Sequence, residues 1–294
     1  MANLKEVRER ISSVITTQQI TKAMKLVAAS KLKKATDNIT AMRPYSDKLF
    51  SILENILSNV DVDSLDLDFG KEREVKNVLI VLATSDKGLC GGFNANLNKR
   101  TKALINEEYA NLKGGNITIA TVGKKGYDFF KSFEGVKLET TYRNLFTDLN
   151  FEHASKAAEY AMNSYLDGTY DKVHVVYAKF INAATQEYNV EQFLPIAKFE
   201  AKEGDMNVDF EFEPDKADLV KELVPKILKT QFYRFLLDNN ASEHGARMVA
   251  MDQATENANT LLNDLKLLYN RERQAAITTE ILEIVGGAAA LENG

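Results

Sequence analysis

The sequence predicts an α/β fold: a central, Rossmann-like, mainly parallel sheet domain, held by a long antiparallel α-helical coiled coil made from the N- and C-terminal helices. Three observations carry this expectation. At both ends of the chain, apolar or small residues recur at alternating three- and four-residue steps, the period of a coiled-coil seam. Between the ends, short β-rich apolar runs alternate with helix-like stretches, the pattern of a parallel sheet flanked by helices. Only four of the 294 residues are proline, so little interrupts long helices in a chain with plentiful Ala, Leu, Lys and Glu.

Residues 1–58 read as the N-terminal coiled-coil helix. Its seam passes through Leu4, Val7, Ile11 and Val14, then Ala28, Leu32, Ala35, Ile39 and Met42. In the middle the seam positions hold Gln18, Thr21 and Lys25, while Ile20, Met24 and Val27 fall off the seam. Pro44 is expected to kink or interrupt the helix, because it lacks an N–H and its ring crowds the preceding turn.

Residues 215–286 read as the C-terminal coiled-coil helix. Met251, Ala254, Ala258, Leu261, Leu265 and Leu268 repeat the same steps; the pattern passes to Glu272 and resumes at Ala275 and Leu282. Pro225 is the one strong helix breaker there, and Gly245 a milder weak point. A helix of about 70 residues reaches roughly 100 Å, more than a domain of this size needs for its own core. Each arm alone leaves an apolar stripe in water, whereas burying a large seam residue stabilises by about 1.5–3 kcal/mol. The arms are therefore expected to pair. A domain whose two ends lie close together makes them antiparallel, and the longer C-terminal arm overhangs as a single helix.

Residues 75–195 form the α/β globular domain. Val78–Ala83, Ile117–Val122 and Val173–Ala178 have the composition of buried strands. Helix-like stretches lie at 95–110, 124–133 and 151–167, and Gln186–Pro195 alternates like an edge strand. A short acidic, Gly-containing stretch at 200–214 leads to the final helix.

Several function classes are excluded or disfavoured. Cys90 is the sole cysteine, so no internal disulfide forms, and with His153, His174 and His244 scattered no metal-ligand cluster is expected. MANLKEVRERI mixes charges and does not read as a signal peptide. The longest apolar run, Val78–Ala83, is far below the roughly 20 residues of a membrane helix, so membrane contact is expected only through partners. The net charge is −5, yet Arg10, Lys22, Lys25, Lys31, Lys33 and Lys34 fall in a stretch from Arg10 to Thr36 without an acidic residue. Such a segment is either a solvated face or a surface for an acidic partner.

The strand ending at Thr84 leads into SDKGLCGGFN, a glycine-rich turn where α/β folds often hold phosphate. Gly88, Gly91 and Gly92 match neither GxGxxG nor GxxxxGK[ST], so a tight packing turn is the favoured reading. Asp61, Asp63, Asp66 and Asp68 lack the Gly and Glu of a calcium loop and read as a solvated acidic loop. No catalytic constellation and no cofactor site stands out.

TTQQITKAMKLVAASKLKKA at 16–35, SDKGLCGG, ASEHGARMVAM at 241–251 and RQAAITTEILEIVGGAAA at 273–290, in that order, closely resemble the gamma subunit of rotary, proton-driven F-type ATP synthases. The last stretch carries the terminal signature Ile277, Thr278, Glu280, Glu283, Gly287 and Ala288. The resemblance implies a non-catalytic central shaft inside a hexamer of alpha and beta subunits. Its globular part would sit with the epsilon subunit on the membrane c ring. The complex would lie at the cytoplasmic face of a bacterial plasma membrane, without nucleic acid. By the same resemblance Lys22, Met24, Lys25, Lys31, Lys33 and Lys34 would face acidic lever segments of beta. Arg273, Gln274 and Thr278 would form a polar catch with beta, and Arg247 would lie on the coil near the level of Met24. Photosynthetic relatives carry a redox cysteine pair; with Cys90 alone, no thiol switch is expected. The competing readings are a nucleotide-binding α/β enzyme with a coiled-coil arm, and a scaffold that grips clients with exposed apolar arms.

Overall fold

The computed structural model describes residues 4–58, 68–112, 114–196 and 216–292. The chain divides into two compact units: Met1–Val27 with Met248–Gly294, and Ala28–Arg247. Two helices contribute to both, α1 (Leu4–Ser58) and α5 (Lys216–Glu292).

In the first unit the two helices run antiparallel. Lys25 meets Asp252, Thr21 meets Thr255, Gln18 meets Asn259 and Arg8 meets Tyr269, so one number falls as the other rises. Val7, Thr21, Met251, Ala258 and Leu265 are buried, and Leu4, Ile11, Val14 and Leu268 are half-buried. These are seam positions. Ile20 and Val27, off the seam, are more than half exposed. Past Leu4, the first described residue of α1, α5 continues as an overhang in which every residue from Arg273 to Ala289 is exposed.

The second unit holds a five-stranded sheet of β1 (Val78–Ala83), β2 (Ile117–Val122), β3 (Val136–Glu139), β4 (Lys172–Phe180) and β5 (Gln186–Leu194), in the order β3-β2-β1-β4-β5. All pairings are parallel except β4 with β5. Helices α2 (Phe93–Glu107), α3 (Lys124–Phe130) and α4 (Phe151–Leu166) complete the domain.

The period-two alternation of β1 divides the core. Val78, Ile80 and Leu82 join Phe93, Leu97, Leu104 and Phe130 on one face. Leu79, Val81 and Ala83 join Ala154, Ala158 and Met162 of α4 and Val224, Ile227, Leu228, Phe232 and Leu236 of α5 on the other. The sheet is therefore sandwiched between α2/α3 and α4/α5. Within this unit α1 and α5 also pack antiparallel, Ala35 and Ile39 against Leu237 and Ala241.

Three local outcomes refine the sequence expectation. α1 continues through Pro44; Thr40 and Pro44 are both exposed, so water can take the carbonyl that loses its intrahelical donor. α5 continues through Pro225 and Gly245 to Glu292. β3 was not anticipated, being a four-residue edge strand with only partial burial. The acidic stretch at 200–214, and Asp61, Asp63 and Asp66, lie outside the described residues.

Candidate functional site

A doubly wound sheet binds ligands in the crevice at the carboxyl ends of its strands, where the strand order reverses. Here the chain proceeds from β1 outward through β2 to β3 and then returns to β4 on the other side of β1, so the crevice lies between the ends of β1 and β4. The turn Ser85–Gly92 forms one wall. Ser85 folds it: its amide donates to Asn94 Oδ1 at 3.0 Å and its hydroxyl donates to the Lys87 carbonyl at 2.7 Å. Cys90 is buried within this knot, its sulfur 3.2 Å from the Asn94 side-chain amide. Leu89 adopts a φ of 62°, a left-handed conformation uncommon outside glycine.

The crevice is filled by α5. Arg247 donates from Nη2 to the carbonyl of Lys87 at 2.9 Å and approaches that of Gly88 at 3.4 Å. Its Nη1 donates to Glu243 at 2.6 Å, and the two side chains are only 12% and 10% exposed. One turn earlier, Asn239 Oδ1 accepts from the Ala178 amide at 3.1 Å, and the Ser242 hydroxyl donates to the Ala178 carbonyl at 3.0 Å. Asp238 is buried beside them, and burial pushes its carboxyl up, opposed first by Arg234.

The pairing of β1 with β4 ends at Leu82↔Val176. At Ala178, side chains of a helix thus replace the missing strand. A Cβ on Gly245 would stand 3.1 Å from the Ala183 carbonyl, so the glycine permits close approach to the β4–β5 turn. Burial pushes the Glu243 carboxyl up, opposed by Arg247. It pushes the His244 imidazole down to about 4, and Arg247 adds to that.

This arrangement bears on the enzyme reading. A phosphate cradle presents amide N–H groups, whereas the turn offers two carbonyls to an internal guanidinium. The space a nucleotide would take belongs to Asn239, Ser242 and Arg247.

The family comparison follows from both units. A family model described as ATP synthase matches residues 3–291, and the chain is 55% identical to the ATP synthase gamma chain of Cytophaga hutchinsonii with 100% of both chains covered. The chain belongs to the ATP synthase gamma chain family. The gamma chain of Christiangramia forsetii is 53% identical, with 99% of each chain covered. Among solved structures, a chain of the Tetrahymena thermophila mitochondrial ATP synthase central stalk and c-ring is 25% identical. It matches at a TM-score of 0.56, covering 80% of this chain and 99% of that one. A chain of the Euglena gracilis mitochondrial ATP synthase, at 19% identity, shares the fold with a TM-score of 0.67, covering 99% and 95%.

On this gamma-type framework, the residues singled out from the sequence fall into three groups. In the first unit Lys22 is exposed, Met24 half-buried, and Lys25 pairs with Asp252 at 2.5 Å. Arg273, Gln274 and Thr278 are exposed on the overhang, where the Thr278 hydroxyl donates back to the Gln274 carbonyl at 2.9 Å. Twenty-one residues separate Asp252 from Arg273, about 30 Å of helix, so these are two distinct surfaces. In the second unit Lys31, Lys33 and Lys34 are exposed, while Arg247 is turned inward to Glu243 and the glycine-rich turn.

Sequence reasoning missed the crevice group Asp238, Asn239, Ser242 and Glu243. A signal was present: these polar residues interrupt the apolar run that includes Phe232, Phe235, Leu236 and Leu237. Buried polar side chains in such a run need partners.

Proposed function

We propose that this chain is the non-catalytic rotor of the central stalk of an F-type ATP synthase. It couples proton flow through a membrane sector to ATP synthesis or hydrolysis in beta subunits by turning inside an alpha–beta hexamer. The observation that carries this reading is the first unit: two antiparallel helices that bury a seam against each other and send one helix on alone.

The chemistry of the surfaces fits such a part. A shaft must cohere internally while gripping its surroundings weakly enough to move between states. Its cohesion comes from the seam. Its outward groups at Lys22, Lys31, Lys33 and Lys34 are exposed cations, and exposed ion pairs each contribute little, which suits reversible contact with acidic segments of beta. Arg273, Gln274 and Thr278 supply a polar catch where the overhang begins. From Ile277 to Val285 the overhang has no basic side chain and five exposed aliphatic ones, Ile277, Ile281, Leu282, Ile284 and Val285. An apolar tip has no cation for a surrounding acidic group to pin. The globular unit would meet epsilon and the c ring. No described helix is long and apolar enough to cross a membrane, and peripheral attachment at the cytoplasmic face of a bacterial membrane follows from those partners.

The test is Met24→Lys in the assembled complex. A long cation beside Lys22 and Lys25 adds an ion pair to one beta state. Proton pumping driven by ATP should then fall more than ATP hydrolysis does. Equal losses in the two rates would sink the assignment of this segment to coupling.

A further inference from the structure

The crevice at the ends of β1 and β4 does more than exclude a ligand. Elsewhere in its unit α5 meets the sheet through apolar contacts: the Phe235 ring lies 4.6 Å from that of Tyr177, and the Phe232 ring 5.6 Å from that of Phe193. Apolar packing is strong but non-directional. A helix held only by ridges and grooves has neighbouring positions displaced by a turn, about 5.4 Å along its axis, that bury similar area. Hydrogen bonds to backbone atoms of a strand behave otherwise. They weaken steeply with small changes of distance and angle, and a buried group that loses its partner is left unsatisfied.

Three side chains of this kind follow one another along α5. Asn239 takes the amide of Ala178, Ser242 takes the Ala178 carbonyl, and Arg247 takes the carbonyls of the β1–α2 turn. They pin the helix to two different strand ends, which fixes both its axial position and its rotation about its own axis. Gly245 lets the helix backbone come against Ala183 between them.

We infer that Asn239–Arg247 is the joint through which the α/β domain and its helix pass torque, with α5 seated in the sheet as a ligand would be. This rests on the rotor reading above and adds to it the residues that keep the helix from slipping under load. Asn239 and Ser242 are positioning residues in this role, since both are fully buried within the unit.

The experiment uses the complete complex in proton-tight vesicles, carrying Ser242→Ala, Asn239→Ala or both. ATP hydrolysis with the membrane made leaky measures turning without load; proton uptake per ATP against an imposed gradient measures turning under load. The expected result is unloaded hydrolysis close to wild type and loaded uptake several-fold lower in the double variant, with each single variant between. Wild-type uptake per ATP at every gradient overturns the joint, and so does a parallel loss of both readings. If the double variant does not assemble, Ser242→Ala alone, which removes one hydroxyl, is judged by the same two readings. A wild-type complex that hydrolyses ATP without pumping would instead overturn the rotor reading itself.

Discussion

Replacing Arg247 by Met separates the crevice's electrostatics from its packing. The substitution keeps the aliphatic stem but removes the guanidinium from Glu243, 2.6 Å away, and from the carbonyls of Lys87 and Gly88. Both members of the ion pair are about nine-tenths buried, so the remaining carboxylate has lost its counter-charge with little access to water. Breaking such a pair from one side costs about 3–5 kcal/mol. The cost should depend on pH. Burial already holds the Glu243 carboxyl above its ordinary value, and Arg247 opposes that rise; without Arg247 the folded form keeps the proton to higher pH. A carboxyl with a raised folded-state value binds more protons folded than unfolded, so stability falls as pH rises through that window. His244 acts in the same sense, because losing Arg247 relieves part of its depression. Urea unfolding of the full chain should therefore show a larger deficit against wild type at pH 8 than at pH 6. Glu243→Gln combined with Arg247→Met should recover most of it. A deficit below about 1 kcal/mol that is equal at the two pH values would refute the account of a buried, mutually dependent pair.

Two further outcomes follow from other parts of the chain. His174 on β4 is 4% exposed, and its Nε2 faces the Tyr109 hydroxyl at 2.6 Å. Burial, with Lys172 adding, holds it down to about 4, so the unfolded chain takes up a proton first as pH falls below about 6.5. His174→Gln, which keeps an acceptor toward Tyr109, should lessen the loss of stability between pH 7 and pH 5 by about 2 kcal/mol in urea titrations. An unchanged pH slope would count against it. In the coil, Gln18→Leu leaves the Asn259 amide without its partner and should cost about 1 kcal/mol, whereas Gln18→Leu with Asn259→Leu should be neutral or stabilising. Melting curves that rank the double variant below the single would contradict that cross-helix pairing.

Much of this molecule is legible in its sequence, for identifiable reasons. β1 and β2 run over Val78–Ala83 and Ile117–Val122, as their composition predicts, because strands buried on both faces read as nearly continuous runs of apolar and β-branched residues. The seam from Leu4 to Met42 is likewise read correctly, since a coiled coil writes its geometry as a period. Illegible were features that depend on what lies across space. VKLE at 136–139 becomes β3 only because β2 offers it an edge. Arg247 on a charged helix looks like an outward cation until the turn at Lys87 is seen beside it. Lys25 is legible as a seam position, but its partner Asp252 across the coil is not. Periodicity tells which face of a helix is inward, but not which polar groups meet there.

Both units combine the same two kinds of force. In the first, aliphatic and small seam residues supply cohesion, and midway the pairs Gln18–Asn259, Thr21–Thr255 and Lys25–Asp252 replace them. An apolar seam tolerates a slip of one heptad, because like then meets like; polar pairs do not, since a slip separates donors and acceptors that are matched in one register only. A polar layer lowers the stability of a coil and raises the specificity of its register. In the second unit, aromatic packing against the sheet supplies cohesion, and Asn239, Ser242 and Arg247 fix the helix against the strand ends. A part that only had to stay folded would gain from more Leu at every one of these positions. Directional contacts have one preferred alignment, and these polar groups stand where a helix meets a helix or a strand end that apolar packing alone would let it slide along.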